Sequence, residues 1–474
     1  GKRIAITGST GFVGTALVER LLRGVPDCEL VLLVRPSKRH DPAERVRREI
    51  FKNNCFDRLK ADLKGTDEPF EAMVARRVRA VGGDVSTDGL GLNDTDRALF
   101  ASVDIVIHSA AAVAFDSPLD SAVEINLLGP VRIAATLNDL GITPHLVAVS
   151  TCYVAGNRRG NAPEELVSEG PFDLGLNWRK EVAAARRLRS DLEAASRDPE
   201  RLRDLRKDAH TELGAAGAPA LASKTEQLRE RWVSDQLVEA GRARAASVGW
   251  PDAYAYTKAL GEQALTETKG PVPVSIVRPS IIESALAEPF PGWIRGFRMA
   301  EPVIISYARG LLKEFPGVPE GTVDVIPVDL VVGAIIAVAV VYWAFNYYGR
   351  DLPNYDQLAD YQPAVTTRVQ AGDGSLIAEF AIEKRAFVPI EAIPPLVVNA
   401  FLASEDQNFY RHSGVDIMGV LRAVSTNIIN MGSGRRPVGA STITQQVAKN
   451  FLLGNELSYR RKIREAILAV RIEG

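Results

Sequence analysis

Short apolar runs recur along the chain up to residue 277. They cover residues 3–7, 30–34, 103–107, 146–149 and 274–277. Between most of them, apolar residues repeat every three or four positions. A short apolar run predicts a buried strand, and a repeat of three to four predicts an amphipathic helix. Their alternation predicts an α/β fold, a doubly wound parallel sheet of Rossmann type.

A glycine-rich turn follows the first run, and helical spacing resumes over residues 17–22. Glycines allow a dinucleotide backbone to approach closely, and the N-terminus of the following helix offers free N–H groups to pyrophosphate. The turn therefore predicts a dinucleotide site; the alternative is a turn that only packs helix on strand. The turn residues expected at the cofactor are Gly8, Thr10, Gly11, Phe12, Val13 and Gly14.

A basic residue stands where the second run ends. Dinucleotide domains that prefer NAD carry an acidic residue there for the ribose 2′-hydroxyl, but this chain has Arg35, with Lys38 and Arg39 close by. A guanidinium suits a 2′-phosphate, so the pattern predicts NADPH. The alternative is that Arg35 is a solvated strand end.

Two further strand ends add weaker candidates. Asp84 and Val85 end one run, where Asp84 is expected near the adenine. Ala110 lies among small residues that would let the backbone pass close to a cofactor. His108, just before them, is expected to be an interior histidine rather than a catalyst.

The candidate chemistry lies in two later stretches. Residues 149–156 form a strand end that presents Thr151, and Tyr254 and Lys258 are spaced to share one face of a helix. A free tyrosine has a pKa of ~10, and a nearby cation stabilises its phenolate. We therefore predict that Lys258 lowers the pKa of Tyr254 and makes it a proton donor and acceptor.

With these motifs, residues 1 to about 330 resemble the extended short-chain dehydrogenase/reductase superfamily. Within it, Val-Arg-Pro-Ser-Ile-Ile-Glu-Ser at 277–284 and Pro-Phe-Pro-Gly-Trp-Ile at 289–294 are similar to the fatty acyl-CoA reductases rather than to sugar epimerases. The resemblance implies that NADPH reduces the thioester of a long-chain fatty acyl-CoA to an aldehyde. A second hydride would give the alcohol.

The same resemblance assigns roles to single residues. Tyr254 would protonate the developing oxyanion, Thr151 would share that oxygen, and Lys258 would also hold the ribose. Asn126 is similar to the structural asparagine of the superfamily and would steady Lys258 through water. Pro279, in the motif above, is expected at the cofactor.

A long insertion separates the two catalytic stretches. Residues 178–247 are rich in Arg, Glu and Ala, with apolar spacings typical of amphipathic helices. In the resembled family this region helps to cover the acyl substrate. The alternative is a charge-rich helical cap without a ligand role.

Residues 330–348 carry no charge and end in an aromatic cluster. This length and composition predict a transmembrane helix. The alternative is a helix buried against the reductase sheet. A polar connector, residues 349–365, follows.

Three motifs then follow in order, at residues 404–414, 439–446 and 461–465. From the residues alone, Glu405 and Glu465 are candidates for an acid/base pair, beside cations suited to a pyrophosphate leaving group. From about residue 333 the chain resembles class A penicillin-binding proteins, with their anchor and lysozyme-like, mainly α peptidoglycan glycosyltransferase domain. That resemblance implies that Glu405 is the base, while Glu465, Lys462 and Lys449 serve the diphosphate donor. We expect residues 366–474 to be a partial domain, since the chain ends soon after the third motif.

Composition limits the partners. A net charge of −2 over 474 residues gives no indication of nucleic acid. The three cysteines all lie before residue 160 and have no disulfide-like or metal-ligand spacing, which indicates a reducing compartment for that part of the chain. We expect no metal site.

The sequence therefore predicts a reductase over residues 1–329, located in the cytoplasm at the inner membrane, with the C-terminal fragment outside. The alternative function is a membrane-anchored glycosyltransferase that polymerises lipid II, in which the N-terminal domain only binds nucleotide. A third possibility is a fusion in which neither half is active.

Overall fold

The computed structural model describes most of the chain in two compact units, Gly1–Ala339 and Val340–Gly474. The described residues are 1–37, 40–114, 116–158, 160–170, 175–214, 218–296, 301–314, 323–358, 367–380, 388–430, 439–453 and 458–473. Lys38 and Arg39, noted above beside Arg35, lie outside them.

The first unit is built on a parallel sheet with strand order β3-β2-β1-β4-β5-β6. Its strands are β1 (Arg3–Thr7), β2 (Glu29–Val34), β3 (Val78–Gly82), β4 (Ile105–His108), β5 (His145–Val149) and β6 (Val274–Val277). The predicted doubly wound parallel sheet is confirmed. The strand order reverses between β1 and β4, so the connections that leave these two neighbouring strands run in opposite directions, and such folds bind ligands at that point.

Two hydrophobic cores cover the two faces of this sheet. Ile4 and Ile6 of β1 belong to one core, whereas Ala5, between them, belongs to the other. Successive side chains of a strand point to opposite faces, so both faces must be apolar. This explains why the strands read as continuous apolar runs rather than as alternating patterns.

Helices connect the strands and build the insertion. Those before the apolar helix are α1 (Phe12–Gly24), α2 (Pro42–Arg45), α3 (Asp57–Asp62), α4 (Phe70–Arg77), α5 (Asp94–Phe100), α6 (Leu119–Ala122), α7 (Leu128–Asp139), α8 (Trp178–Ala195), α9 (Pro199–Leu213), α10 (Ala218–Ser247), α11 (Ala253–Thr268) and α12 (Glu301–Ala308). A short parallel pair, β7 (Ile281–Glu283) and β8 (Val325–Pro327), lies outside the main sheet.

The insertion packs on the helix that carries Tyr254. Glu181 of α8 accepts a hydrogen bond from the Tyr256 hydroxyl of α11 at 2.6 Å and pairs with Arg244 of α10 at 2.6 Å. Tyr256 is 1% exposed. The three side chains tie two insertion helices to α11.

The apolar segment forms helix α13 (Val328–Tyr348), which is long and apolar enough to cross a membrane. Its beginning is packed inside the first unit, where Val331 and Ile335 are buried with the residues of one sheet face. Val340–Tyr348 alone would be about 14 Å long, against the ~30 Å of a hydrocarbon core. A crossing helix would have to give up part of the packing.

The second unit contains a hairpin and further helices among its described residues. These elements are β9 (Thr367–Gln370), β10 (Leu376–Phe380), α14 (Pro395–Glu405), α15 (Ile417–Ile429), α16 (Ile443–Val447) and α17 (Tyr459–Glu473). Helix α17 buries one face, which includes Glu465, Ile467 and Leu468. The lysozyme-like arrangement stays a prediction.

Candidate functional site

A cavity of about 650 Å³ opens at the carboxyl edge of the main sheet. It contains nearly all the residues that the sequence places at the reductase site. Those that line it are Gly8, Thr10, Gly11, Phe12, Val13, Gly14, Arg35, Asp84, Val85, Ala110, Thr151, Tyr254, Lys258 and Pro279. The fold thus brings the glycine turn and Tyr254, more than 240 positions apart in the sequence, to the same cavity.

The glycine turn is closed too tightly for side chains. Gly8 has a φ of +74°, and a Cβ there would lie 2.6 Å from the Ala110 nitrogen. A Cβ on Gly14 would lie 2.2 Å from the Gly8 carbonyl oxygen. Because α1 begins at Phe12, the N–H groups of its first turn have no partner within the helix, and Phe12, Val13 and Gly14 line the cavity. The cradle, which a Cβ would fill, fits a dinucleotide diphosphate.

The reactive groups meet between β5 and α11. Asp252 caps α11 by accepting a hydrogen bond from the Ala255 nitrogen at 2.8 Å. The Tyr254 hydroxyl is hydrogen-bonded to the Thr151 hydroxyl, just beyond β5. Lys258, 5% exposed, donates from Nζ to the Val149 carbonyl at 2.8 Å. A phenol, a hydroxyl and an ammonium group are thereby fixed at one corner of the cavity.

The prediction that Lys258 lowers the pKa of Tyr254 is wrong for this structure. Burial, together with the charge of Asp252, raises the pKa of Tyr254 to about 12, although the Thr151 hydrogen bond opposes the shift. Burial lowers the pKa of Lys258 to about 8. Burial disfavours the charged form of each group, and the ammonium group is directed at the Val149 carbonyl. Tyr254 is therefore a neutral phenol near pH 7, and its hydroxyl can donate a hydrogen bond.

Asn126 lies outside the described cavity lining. Its amide accepts from the Ala112 nitrogen at 2.8 Å, donates to the Ala112 oxygen at 3.0 Å, and donates to the Thr257 hydroxyl at 3.2 Å. These contacts hold the loop after β4 against α11. Asn126 thus holds backbone next to the cavity and is not among the described residues that line it.

His108 is an interior histidine, as expected. Its Nδ1 lies 2.8 Å from the Thr7 hydroxyl, and the side chain is 1% exposed. Burial lowers the pKa of His108 to about 3, so it is neutral.

The sequence motifs did not predict several of the residues that line the cavity. They include Arg45, Tyr153, Asp252 and Arg295. Arg295 directly follows the motif at 289–294, which was the only signal available for it. Arg45 lies on α2 in a charged stretch that reads as a solvated surface, and nothing local distinguishes it from its neighbours.

In the second unit, Glu405 lines a cleft of about 220 Å³ and accepts from the Gln446 side chain at 3.0 Å. Glu465 is 1% exposed and pairs with Arg461 at 2.8 Å and Lys462 at 2.9 Å. Glu465 is not among the described residues lining that cleft. Lys462 also donates to Ser441, which lines the cleft, at 2.6 Å.

Two protein families match separate parts of this chain. The family described as Male sterility protein matches residues 6–335, and the family described as Transglycosylase matches residues 373–474. Both resemblances noted in the sequence are thereby confirmed.

Individual relatives follow the same division. The chain is 32% identical over 343 residues to Fatty acyl-CoA reductase 2, chloroplastic, of Arabidopsis thaliana, covering 71% of this chain and 50% of the relative. It is 33% identical over 347 residues to the Alcohol-forming fatty acyl-CoA reductase of Simmondsia chinensis, covering 72% and 64%. The chain thus spans between half and two thirds of these reductases.

The C-terminal part is 52% identical over 138 residues to Penicillin-binding protein 1A of Rickettsia bellii (strain RML369-C), covering 29% of this chain and 17% of that protein. Among solved structures, the terminal R domain from the myxalamid PKS-NRPS biosynthetic pathway aligns with a TM-score of 0.44 and 21% identity. The alignment covers 71% of this chain and 62% of that one.

Proposed function

Since this chain belongs, over residues 6–335, to the family described as Male sterility protein, we propose that it reduces long-chain fatty acyl-CoA with NADPH. The product is a fatty aldehyde and, after a second reduction, the alcohol. The observation that carries this proposal is the corner formed by Thr151, Tyr254 and Lys258 at the wall of the dinucleotide cavity. Similarity to fatty acyl-CoA reductases supplies the substrate class.

The side chains of this corner have complementary tasks. When bound, the reduced nicotinamide supplies the hydride for the thioester carbonyl carbon. Tyr254, protonated at neutral pH, donates its proton to the oxygen on which negative charge develops. Thr151 donates a second hydrogen bond to that oxygen. The resulting hemithioacetal returns its hydroxyl proton to the Tyr254 phenolate as the C–S bond breaks, so that coenzyme A leaves as the thiolate and the aldehyde remains.

Arg35 supports NADPH as the cofactor. It follows β2 directly and lines the cavity, and no carboxylate stands at that position to bind a ribose 2′-hydroxyl. A guanidinium recognises a 2′-phosphate by charge and by paired hydrogen bonds.

Tyr254→Phe tests the proposal. We expect the loss of NADPH consumption driven by long-chain acyl-CoA, with NADPH binding retained. Tyr256→Phe is the matched control. It removes a tyrosine hydroxyl from the same helix, but that hydroxyl donates to Glu181, and Tyr256 is not among the described residues that line the cavity. If Tyr254→Phe turned over acyl-CoA as fast as Tyr256→Phe, the assignment of Tyr254 as the proton donor would be refuted.

A second candidate function is favoured by the Transglycosylase match at residues 373–474 and by the cleft that contains Glu405. We propose Glu405 as the base that activates a sugar hydroxyl, with Glu465, Lys462 and Lys449 on the donor side. Polymerisation of lipid II in detergent tests it, and Glu405→Gln should abolish any product. If that activity is present and NADPH consumption is absent, the glycosyltransferase becomes the principal function.

We also propose the inner membrane as the location, with the reductase in the cytoplasm and the C-terminal part outside. Helix α13 and the similarity to Penicillin-binding protein 1A support this arrangement. The packing of Val331 and Ile335 in the reductase core opposes it. Membrane fractionation of the variants described in the Discussion decides between them.

A further inference from the structure

Arg295 reaches the glycine turn from a distant segment of the chain. Its Nη2 donates to the Glu49 carbonyl at 2.7 Å, and its Nη1 is hydrogen-bonded to the Thr15 hydroxyl of α1. The same side chain lines the cavity. A guanidinium from residue 295 therefore stands beside the helix that begins at the turn.

The segment that carries Arg295 is firmly seated. The ring of Trp293, 1% exposed, lies 5.3 Å from the ring of Phe12, centroid to centroid. The indole nitrogen donates to the side-chain oxygens of Asn53 and Asn54 at 3.2 and 3.1 Å. Trp293 thus holds the segment just before Arg295 against Phe12, Asn53 and Asn54.

The charge of Arg295 adds to that of the helix terminus. Thr15 donates from its hydroxyl to the Gly11 carbonyl at 2.7 Å, which places the Arg295 guanidinium next to the turn itself. The Glu49 carboxylate pairs with Arg45 at 2.7 Å, and this hydrogen bond, together with the charges of Arg45 and Arg295, holds the pKa of Glu49 below its ordinary value. Arg295 also donates to the Glu49 main-chain carbonyl. A full cation and the partial charge of the α1 N-terminus therefore act on the same space.

We propose that Arg295 binds the diphosphate of the nicotinamide cofactor. The inference deepens the proposed cofactor site and assigns a residue from outside the glycine turn to it. The diphosphate is the phosphate concerned because Thr15 and Gly11 lie at the turn. A 2′-phosphate would instead lie beyond the end of β2, where Arg35 stands. Charge-assisted hydrogen bonds to phosphate are stronger than neutral ones, so the contribution to binding should be measurable.

Calorimetry with AMP, ADP, NAD⁺ and NADP⁺ tests the proposal on the full chain without acyl-CoA. We expect Arg295→Met to lower the affinity for ADP, NAD⁺ and NADP⁺ by about tenfold each, and the affinity for AMP by much less. The ratio of NADP⁺ to NAD⁺ affinity should stay unchanged. Arg35→Leu should instead reduce the ratio of NADP⁺ to NAD⁺ affinity and leave the affinities for ADP and NAD⁺ unchanged. Arg295→Lys, which keeps the charge, should restore part of the ADP affinity.

Three results would overturn the proposal. Unchanged ADP affinity in a folded Arg295→Met protein would leave Arg295 with a purely structural role. If the variant lost affinity for NADP⁺ alone, Arg295 would be assigned to the 2′-phosphate. Equal weakening of AMP and ADP would indicate a general distortion of the site. Because nucleotide binding is measured directly, a protein that binds nucleotides but does not reduce acyl-CoA would refute the proposed function and leave this test intact.

Discussion

Lys258 donates from Nζ to the main-chain carbonyl of Val149 at 2.8 Å. The contact joins the middle of α11 to the end of β5, two residues before Thr151. Helix and strand are therefore held in the register that brings the Tyr254 and Thr151 hydroxyls together. The ammonium group therefore has a structural task in this part of the fold.

The burial of Lys258 should be visible in the pH dependence of stability. Its pKa falls from the ordinary 10.5 to about 8 in the folded protein. Between these values the unfolded chain binds more protons than the folded one, so the free energy of unfolding rises with pH. The rise should be about 3 kcal/mol and should be absent from Lys258→Met. Urea denaturation from pH 7 to pH 10.5 measures both proteins, and equal slopes would contradict the prediction.

Thr151 tests the hydrogen bond to the reacting oxygen. It is 3% exposed, and Thr151→Val keeps its shape while removing the hydroxyl. We expect kcat to fall by about 100-fold, since one donor to an oxyanion contributes that much, while NADPH binding is retained. Thr151→Ser keeps the hydroxyl and should remain within a few-fold of the wild type. A similar loss in both variants would point to packing instead.

Arg35 tests the choice of cofactor. Arg35→Leu should lower kcat/KM with NADPH by about 100-fold and leave NADH almost unaffected, because only the 2′-phosphate loses its partner. Arg47→Leu is the matched control: Arg47 is exposed and does not line the cavity. Equal losses with both cofactors would contradict the assignment.

Helix α13 can be tested at two positions with the same substitution. Ile335 is 0% exposed in the reductase core, whereas Val341 is 54% exposed. Ile335→Asp should destabilise the reductase by several kcal/mol, because it buries a charge without a partner. Val341→Asp should change reductase stability by less than ~0.5 kcal/mol, yet disfavour a membrane span by about 3 kcal/mol.

Carbonate extraction of membranes and thermal melting with NADPH measure the two effects. If the helix crosses the bilayer, carbonate extraction should release the Val341→Asp chain from the membrane pellet. The melting temperature of this variant with NADPH bound should stay that of the wild type. An unchanged pellet fraction would show that α13 does not cross, and its packing in the reductase would be its main role.

The sequence by itself determined the parallel sheet, the glycine turn and the placement of Tyr254 and Lys258 on one helix. Each depends on a local pattern: a run of buried residues, a backbone that excludes Cβ atoms, or a spacing of one helical turn. The sequence also predicted Thr151, because it follows a predicted strand whose carboxyl end lies at the ligand edge of a parallel sheet.

The tertiary structure decided what lies around those residues. The pKa of Tyr254 depends on its burial and on Asp252 and Thr151, and Lys258 is directed to a carbonyl 109 positions away. Arg295 meets Thr15 across 280 positions, and the first part of α13 is buried by the sheet. Burial and charge proximity are properties of contacts between distant segments, so no local pattern encodes them.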